Sequence, residues 1–457
     1  MKTPLLDQLL DLLTLAALAV TDPRPRRKFV HLAVGWLCGP KPKTLTSALE
    51  WLDQRQEDWS ADYRLFSQAH WETQAPFLPV LTQALASPLC DRARVYTGQD
   101  DTLVRKTGRK IPGVAYARDP LSPPFQVNLV LGQRFVQTSL LVQPGGPDHP
   151  WRALPVSFTH APTPKIPKAA SPQEQAALRE VRKKHRLSVV ALEQLQFCRH
   201  QLDLQPGGSQ RRLIDVVDGG YANRTFLGGL PERTEAVARV RKDAKFRAYL
   251  PPDQRRGARK YGPALPTPLG YLQDDQLPWQ SCPVFVARQT RTLHFKEITR
   301  LCWPRATQVR PLRLIIIKAA GYRLRKGSKL LYREPAFLIT TDLTTPAAEL
   351  IAAYLARWEV EVNFRDEKNL LGVGQAQVRS PQSVARAPAF LVAGYAMLLW
   401  SSIRVFGDRR TEAFEALPAW RKDQPLRPST RDLIRLLQQE TAHDHSAAQL
   451  DMHQMRN

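Results

Sequence analysis

Apolar residues recur every three or four positions through the first 88 residues of the chain. Leu6, Leu9, Leu10, Leu13 and Ala17 share one side of a 3.6-residue period, which predicts a packed amphipathic helix. The period returns over Val30–Leu37 and Thr44–Gln54, and a further helical segment runs through Trp59–Leu85. Trp51, Trp59, Tyr63, Phe66 and Trp71 are available as its aromatic core. From Arg92 the texture changes to short apolar runs. Arg94–Gln99 reads as a strand ending at Asp100-Asp101-Thr102, and Gln126–Gly132 with Phe135–Val142 as a hairpin turning at Gly132-Gln133. A basic connection (Lys165, Lys168, then Arg179–Arg186) continues as a helix to about Leu202. Pro206-Gly207-Gly208 ends that helix. Arg211–Val217 then reads as a buried strand delivering Asp218, with Val237–Arg241 as another short strand.

The region from Lys242 to about Leu330 differs again. Val284–Arg288, Leu293–Thr299 and Arg313–Lys318 alternate or run apolar with basic residues between, which predicts a basic sheet. Ala336–Thr340 is one more strand. A long helix is expected over Pro346–Leu371 and an apolar helix over Pro388–Val405. From Asp408 the chain is polar, with one amphipathic helix near Thr430–Glu440. Strands mixed with helices in this order predict an α/β sheet with acidic residues at strand ends.

Charge then narrows the partner. Sixty-six Lys and Arg against 42 Asp and Glu leave a formal net charge of +24. Folding does not need such an excess, and self-repulsion makes it destabilising. It suits a polyanion, because each phosphate neutralised releases condensed counterions. Nucleic acid is the first expectation and an anionic membrane surface the rival. The apolar run Leu5–Val20 is interrupted by Asp7 and Asp11 and lacks the length of a spanning helix, so neither a membrane segment nor a secretory signal is expected. Five scattered cysteines form no CxxC grouping, which points to a reducing cytoplasm and away from structural zinc. His443, His445 and His453 fall in the polar tail and read as solvated.

The chemistry concentrates in Tyr354-Leu-Ala-Arg357-Trp-Glu-Val-Glu361, followed seven residues later by Lys368. On a helix, positions four and seven apart differ by about 40° and 20°, so all four side chains project from one face. A carboxylate flanked by a phenol, a guanidinium and an ammonium can hold a metal while the donors grip phosphate oxygens. A salt-bridged solvent face would give the same spacing. Asp100 and Asp218 supply two more acids, the latter in Val216-Val217-Asp218-Gly219-Gly220-Tyr221, where glycines let a backbone come close. Three carboxylates can hold two Mg²⁺ or Mn²⁺ ions about 4 Å apart, which activate the attacking oxygen and stabilise the leaving oxygen of a phosphodiester.

These residues resemble the cut-and-paste DDE transposases of bacterial insertion sequences. Tyr354, Arg357, Glu361 and Lys368 fit their Y-x2-R-x3-E-x6-K signature without a gap, Asp100-Asp101-Thr102 fits D-x-T, and Asp218 to Tyr221 fits D-x-G-[YF]. The resemblance runs from about Tyr96 to Trp400. It implies an RNase H-like catalytic core interrupted by a mainly β insertion, which accounts for the 143-position separation of Asp218 and Glu361. The implied division is an N-terminal helical DNA-binding domain (1–88), a core in two parts (89–244 and 336–406), a β-rich insertion domain (245–335) and a C-terminal helical tail (407–457).

The resemblance further implies that Asp100, Asp218 and Glu361 bind two Mg²⁺ or Mn²⁺ ions and catalyse DNA cleavage and strand transfer at terminal inverted repeats. The pattern favours Asp100 over Asp101 as first ligand, although both precede Thr102. Tyr354, Arg357 and Lys368 would hold phosphates at the transposon end. Trp303, Tyr332, Phe337 and Trp358 are the aromatic residues available to capture a flipped base. Arg239, Arg241, Lys242, Lys245, Arg247, Arg255, Arg256, Arg259 and Lys260 form a basic stretch expected to track DNA backbone. The expected partners are double-stranded DNA at the ends and target, and a second copy of the chain in the DNA complex, with no membrane. The expected location is the bacterial cytoplasm beside the nucleoid. Two alternatives stay open: a catalytically silent DNA-binding regulator derived from a transposase, and a metal-dependent structure-specific nuclease.

Overall fold

The computed structural model describes residues 3–454 except 91, 120, 121, 124, 258, 287, 288, 323–328, 330, 333 and 422–424. The side chains of 322, 331, 332 and 444–454, which include Tyr332, His445 and His453, lie outside the described residues. Helices open the chain: α1 (Pro4–Ala17), α2 (Arg26–Cys38), α3 (Leu45–Trp51), α4 (Ser60–Ser67) and α5 (Leu78–Ala86). The central sheet starts with β1 (Arg94–Arg105), β2 (Ala115–Arg118), β3 (Leu129–Val142) and β4 (Arg152–His160). Helices α6 (Pro172–Lys184) and α7 (Leu187–Asp203) lead to β5 (Arg212–Val217), α8 (Arg224–Gly228) and β6 (Thr234–Arg239). Then come β7 (Arg247–Ala248), α9 (Pro268–Gln273), β8 (Gln280–Val286), β9 (Gln289–Cys302), β10 (Leu312–Ile317), β11 (Gly321–Tyr322), β12 (Leu331–Tyr332) and β13 (Ala336–Thr340). The chain finishes with α10 (Ala347–Ala356), α11 (Trp358–Asn369), α12 (Ser383–Phe406) and α13 (Thr430–Gln454).

The central strands run β4-β3-β1-β5-β6, with β3 antiparallel to β1 and β4, and with β5 parallel to β1 and β6. This is the RNase H-like order. Two expectations are corrected here. Leu129–Val142 is one continuous strand rather than a hairpin at Gly132-Gln133, because all of Gly132–Leu141 pairs with β1. β1 does not end before Asp100 either. It pairs with β5 only as far as Gln99↔Val217, then continues to Arg105 on β3 alone.

The strands of the 245–335 segment extend the same sheet. β13 lies between β6 and β10, with Leu338 opposite Arg239 on one side and Ile315 on the other, and β9, β8 and β7 follow outward. Cys282, Val284, Phe295, Ile315 and Ile317 share one buried cluster with Val216 and with Ile351 and Val360 of the helices above. One apolar layer under α10 and α11 therefore joins the core strands to the added ones.

The opposite face is larger, and α12 is its hub. Ser383–Phe406 is apolar and long enough to cross a membrane, and most of it is buried within the protein. Its Phe390 meets Phe29 at 4.7 Å, Phe66 at 5.2 Å and Trp36 at 5.9 Å between ring centroids. Of the predicted N-terminal aromatics, Phe66 and Trp71 are buried, Trp51 and Trp59 are partly buried, and Tyr63 is exposed. The apolar faces of α1, α2 and α5 thus point into a cluster shared with the sheet.

The C-terminal segment closes this layer. Its helix, expected near Thr430–Glu440, extends to Gln454, and the buried Glu440 accepts from the backbone N–H groups of Leu6 (2.7 Å) and Leu5 (3.4 Å). These are orphan donors in the first turn of α1, which has no side-chain cap of its own. Replacing Glu440 with Ala should lower stability by about 1 kcal/mol, the scale of a lost helix cap, as read from the midpoint of a urea titration.

Candidate active site

Gln99 is fixed first. Its Nε2 donates to Thr138 Oγ1 (2.7 Å) and to the Ala191 carbonyl (2.9 Å), tying β1 to β3 and α7. Strand alternation then turns Asp100 to the α11 face and Asp101 to the α7 face. Asp101 pairs with Arg134 at 2.9 Å and lies near Tyr221. Asp218 follows the last residue of β5, so continuing the Gln99↔Val217 register sets it beside Asp100. Gly219 eases the turn there: a Cβ would stand 3.3 Å from the Arg239 carbonyl at the end of β6, a tight contact.

Two helices bring the third acid. Glu349 anchors α10 by accepting from Arg94 (2.9 Å) and the Tyr96 hydroxyl (2.6 Å). The single helix expected over Pro346–Leu371 is divided at Arg357, whose N–H donates to Tyr354 O and whose carbonyl accepts from Val360, both three residues away. The tightened turn leaves the stripe facing the strands. Val360 packs over Gly98, where a Cβ would meet its Cγ2 at 3.3 Å, so the missing side chain sets how closely α11 approaches β1.

The Arg357 guanidinium bridges the two elements. Nη1 donates to Asp100 Oδ2 at 2.5 Å and Nη2 to Glu361 Oε1 at 2.9 Å, with the Arg and Asp side chains only 13% and 19% exposed. Burial pushes the Asp100 carboxyl up to about 6 against the pull of Arg357, and Asp101 and Asp218 push the same way. Burial likewise raises Tyr354, whose hydroxyl lies near Arg357, Asp218 and Arg239, and lowers Lys368, near Glu367, Arg105 and Asp101. Asp100, Asp218, Tyr354, Arg357 and Glu361 thus share one locality, with Lys368 farther along α11.

Among the described residues no group of three His, Cys, Asp or Glu side chains converges tightly enough to hold a metal ion. The donor chemistry still fits a hard divalent cation, since every acid offers carboxylate oxygens and two of them already gather round one cationic group.

The basic stretch divides. Arg239, Arg241, Lys242, Lys245 and Arg247 are exposed while Val240, Ala244 and Phe246 between them are buried, and Arg256, Arg259 and Lys260 are exposed as well. Arg255 departs from the group: it donates to the Leu250 carbonyl (2.9 Å) and sits over the Tyr249 ring, while Arg241 pairs with Asp243. Of the aromatic candidates, Trp303 packs edge-on against Phe246 and Phe337 is buried, whereas Trp358 is 62% exposed.

Residues 18–301 match the family described as DDE superfamily endonuclease, well over half the chain. The chain belongs to this family. No curated protein matches it. The match contains Asp100 and Asp218 and stops before Glu361, so the signature helix lies outside it. This DDE endonuclease is accordingly a nuclease of the transposase type that acts on DNA, in a superfamily that generally uses divalent metal ions.

Sequence reading missed the second face of α11. Glu359, Asn363 and Asp366 bind Arg427 (2.5 Å), the Ala153 carbonyl (3.0 Å) and Thr430 (2.7 Å), respectively. Their own i, i+4, i+7 spacing was the available signal. Glu367 was missed too: it is fully buried beside Gln137, its Oε1 has no partner, and burial raises its carboxyl to about 8. A carboxyl raised in this way supports the fold below its ordinary range near 4.5, and that support is lost as pH climbs through about 8. Glu367→Gln should therefore gain melting temperature relative to the wild type between pH 5 and pH 9, measured by circular dichroism in a pH series.

Proposed function

We propose that this DDE endonuclease is a transposase, which binds the terminal inverted repeats of its own element, cuts the phosphodiester there and joins the freed end to target DNA. The observation that carries the reading is Arg357 holding Asp100 of β1 and Glu361 of α11 at 2.5 and 2.9 Å, with Asp100 and Asp218 each one position beyond the last β1–β5 pair. A plain solvent-face ion pair would leave out the strand acid, 257 positions away along the chain.

Asp100, Asp218 and Glu361 would hold Mg²⁺ or Mn²⁺ as two ions, supplying charge to activate the attacking oxygen and stabilise the leaving one. The chain's own part is positioning. A DNA phosphate arriving at the stripe offers Arg357 an alternative anion, so the guanidinium turns from the carboxylates to the backbone while Tyr354 and Lys368 grip adjacent phosphates. The attacking group is water for cleavage and the DNA 3′-hydroxyl for strand transfer, in line with the leaving oxygen. Trp358 opens α11 between Arg357 and Glu361 of the stripe, and its exposed ring suits stacking on an extrahelical base. The outer side of the N-terminal helices is assigned to end recognition, and Arg239, Lys242, Lys245, Arg256, Arg259 and Lys260 to the backbone. Synapsis of two ends calls for a homodimer on DNA, and the working location is the cytoplasm beside the nucleoid.

With Mg²⁺ and a duplex carrying the flanking inverted repeat, the wild type should cut at the end, and Glu361→Ala should bind equally while cutting at least about 100-fold more slowly, the scale of removing one group aimed at developing charge. Binding without cutting by both proteins would assign a silent regulator. Cutting without end preference or joining would assign a structure-specific nuclease. For the aromatic residue, 2-aminopurine at the terminal base should be quenched by the wild type and stay bright with Trp358→Ala.

A further inference from the structure

Helix α6 buries none of its residues, and even Val181 is 40% exposed. A 13-residue helix without tertiary burial is marginal in water. This one is nevertheless well formed at its start: Ser171 Oγ accepts from the Glu174 N–H (3.2 Å), Glu174 accepts in return from the Ser171 N–H (2.8 Å), and Pro172 takes the first turn. Gln175, Leu178 and His185 are the half-buried positions along it, and Arg182 donates to the Pro164 carbonyl. That seating turns Arg179 and Lys183, one turn apart, out to solvent, with Lys184 and Arg186 exposed beside them.

Charge on this arm is one-sided. Between Lys165 and Arg186 seven Lys and Arg stand against two acids, one of which serves the cap. Its position is also defined. α6 runs into α7, whose Ser188 hydroxyl accepts from Asn223 Nδ2 (2.7 Å), and the same amide donates to the Gly220 carbonyl (2.9 Å) two residues after Asp218. The arm therefore leaves the body of the protein beside the Asp218 loop, on the side of β1 away from α11.

We infer that α6 is a rail for the backbone of duplex DNA on the Asp218 side of the active site, flanking the phosphodiester that is cut. The inference rests on the DNA-cleaving reading and adds a contact surface outside the signature stripe and outside the 239–260 stretch. A net excess of exposed cations on a helix whose one large exposed apolar side chain is Val181 matches a polyanion better than an apolar partner.

The test uses the full-length chain and a fluorescein-labelled duplex carrying the element end and its flank. Fluorescence anisotropy is followed from 50 to 200 mM salt for the wild type and for the variant combining Arg179→Gln, Lys183→Gln, Lys184→Gln and Arg186→Gln. Each lost phosphate contact should flatten the slope of log K against log salt by about 0.9, up to about 3.6 for all four. Hydroxyl-radical footprinting should show protection lost within about one helical turn of the cleaved bond and kept over the repeat. An unchanged slope and footprint overturns the rail while leaving the DNA reading intact. Protection lost only far from the cleaved bond overturns its placement, and a changed sedimentation coefficient with an unchanged slope would assign α6 to contact between copies instead. A wild type that binds no DNA at 50 mM salt sinks the reading itself, a result distinguishable because it precedes any variant. Unchanged circular dichroism of the variant, expected because nothing on α6 is buried, keeps the comparison free of misfolding.

Discussion

The pairing of β1 with β5 is the constraint on which the rest of the site depends. Parallel strands must be joined by a crossover, and here α7 supplies it and packs over the face that carries Gln99. The pairing stops at Gln99↔Val217. Beyond that point β1 is held from one side only, the β5 backbone is free to turn at two glycines, and two carboxylates emerge next to each other. A shift of one residue in this register would send Asp100 to the α7 face and Asp101 to the α11 face. The Gln99, Thr138 and Gln194 hydrogen bonds, all buried, make that slip costly because each would leave polar groups without partners.

Helix α11 is held from both sides. Its strand-facing stripe meets Asp100 through Arg357, and its other stripe is tied to the segment around Arg427 and Thr430. Next to these contacts, Arg152 and Asp408 form an ion pair with side chains 5% and 0% exposed, also bonded to the Pro428 carbonyl. Breaking one partner of such a pair costs about 3–5 kcal/mol because the other charge is left buried. The polar region after Asp408 is thus part of the scaffold that aims Glu361.

Much of this was readable beforehand, and the reasons differ from place to place. Glu361, Arg357 and Tyr354 were legible because a helix converts sequence spacing directly into direction, and Asp218 because an apolar run ending in glycines marks a strand end. Asp100 was legible as a candidate acid but not as a mid-strand residue: the polar run Gln99–Thr102 imitates a turn, and only the partner strand β3 decides otherwise. Nothing in the local pattern told that β8, β9 and β10 would continue the core sheet through β13, since edge pairing is a long-range choice. The packing partner of the first 88 residues was hidden for a related reason. An amphipathic helix announces that it has a partner without saying which one, and here the partner is α12, some 370 positions away.

Glu440 has a consequence for how the chain is made. Helix α1 has two orphan amides satisfied by a side chain more than 430 positions later, and α12 covers part of the apolar face of that helix. During synthesis the N-terminal layer stays unfinished until α12 and Glu440 have left the ribosome. A message cut short, or a chain clipped before α12, would yield helices whose leucines lose a large part of their cover. Such fragments would be sticky and short-lived rather than free DNA-binding competitors of the intact enzyme.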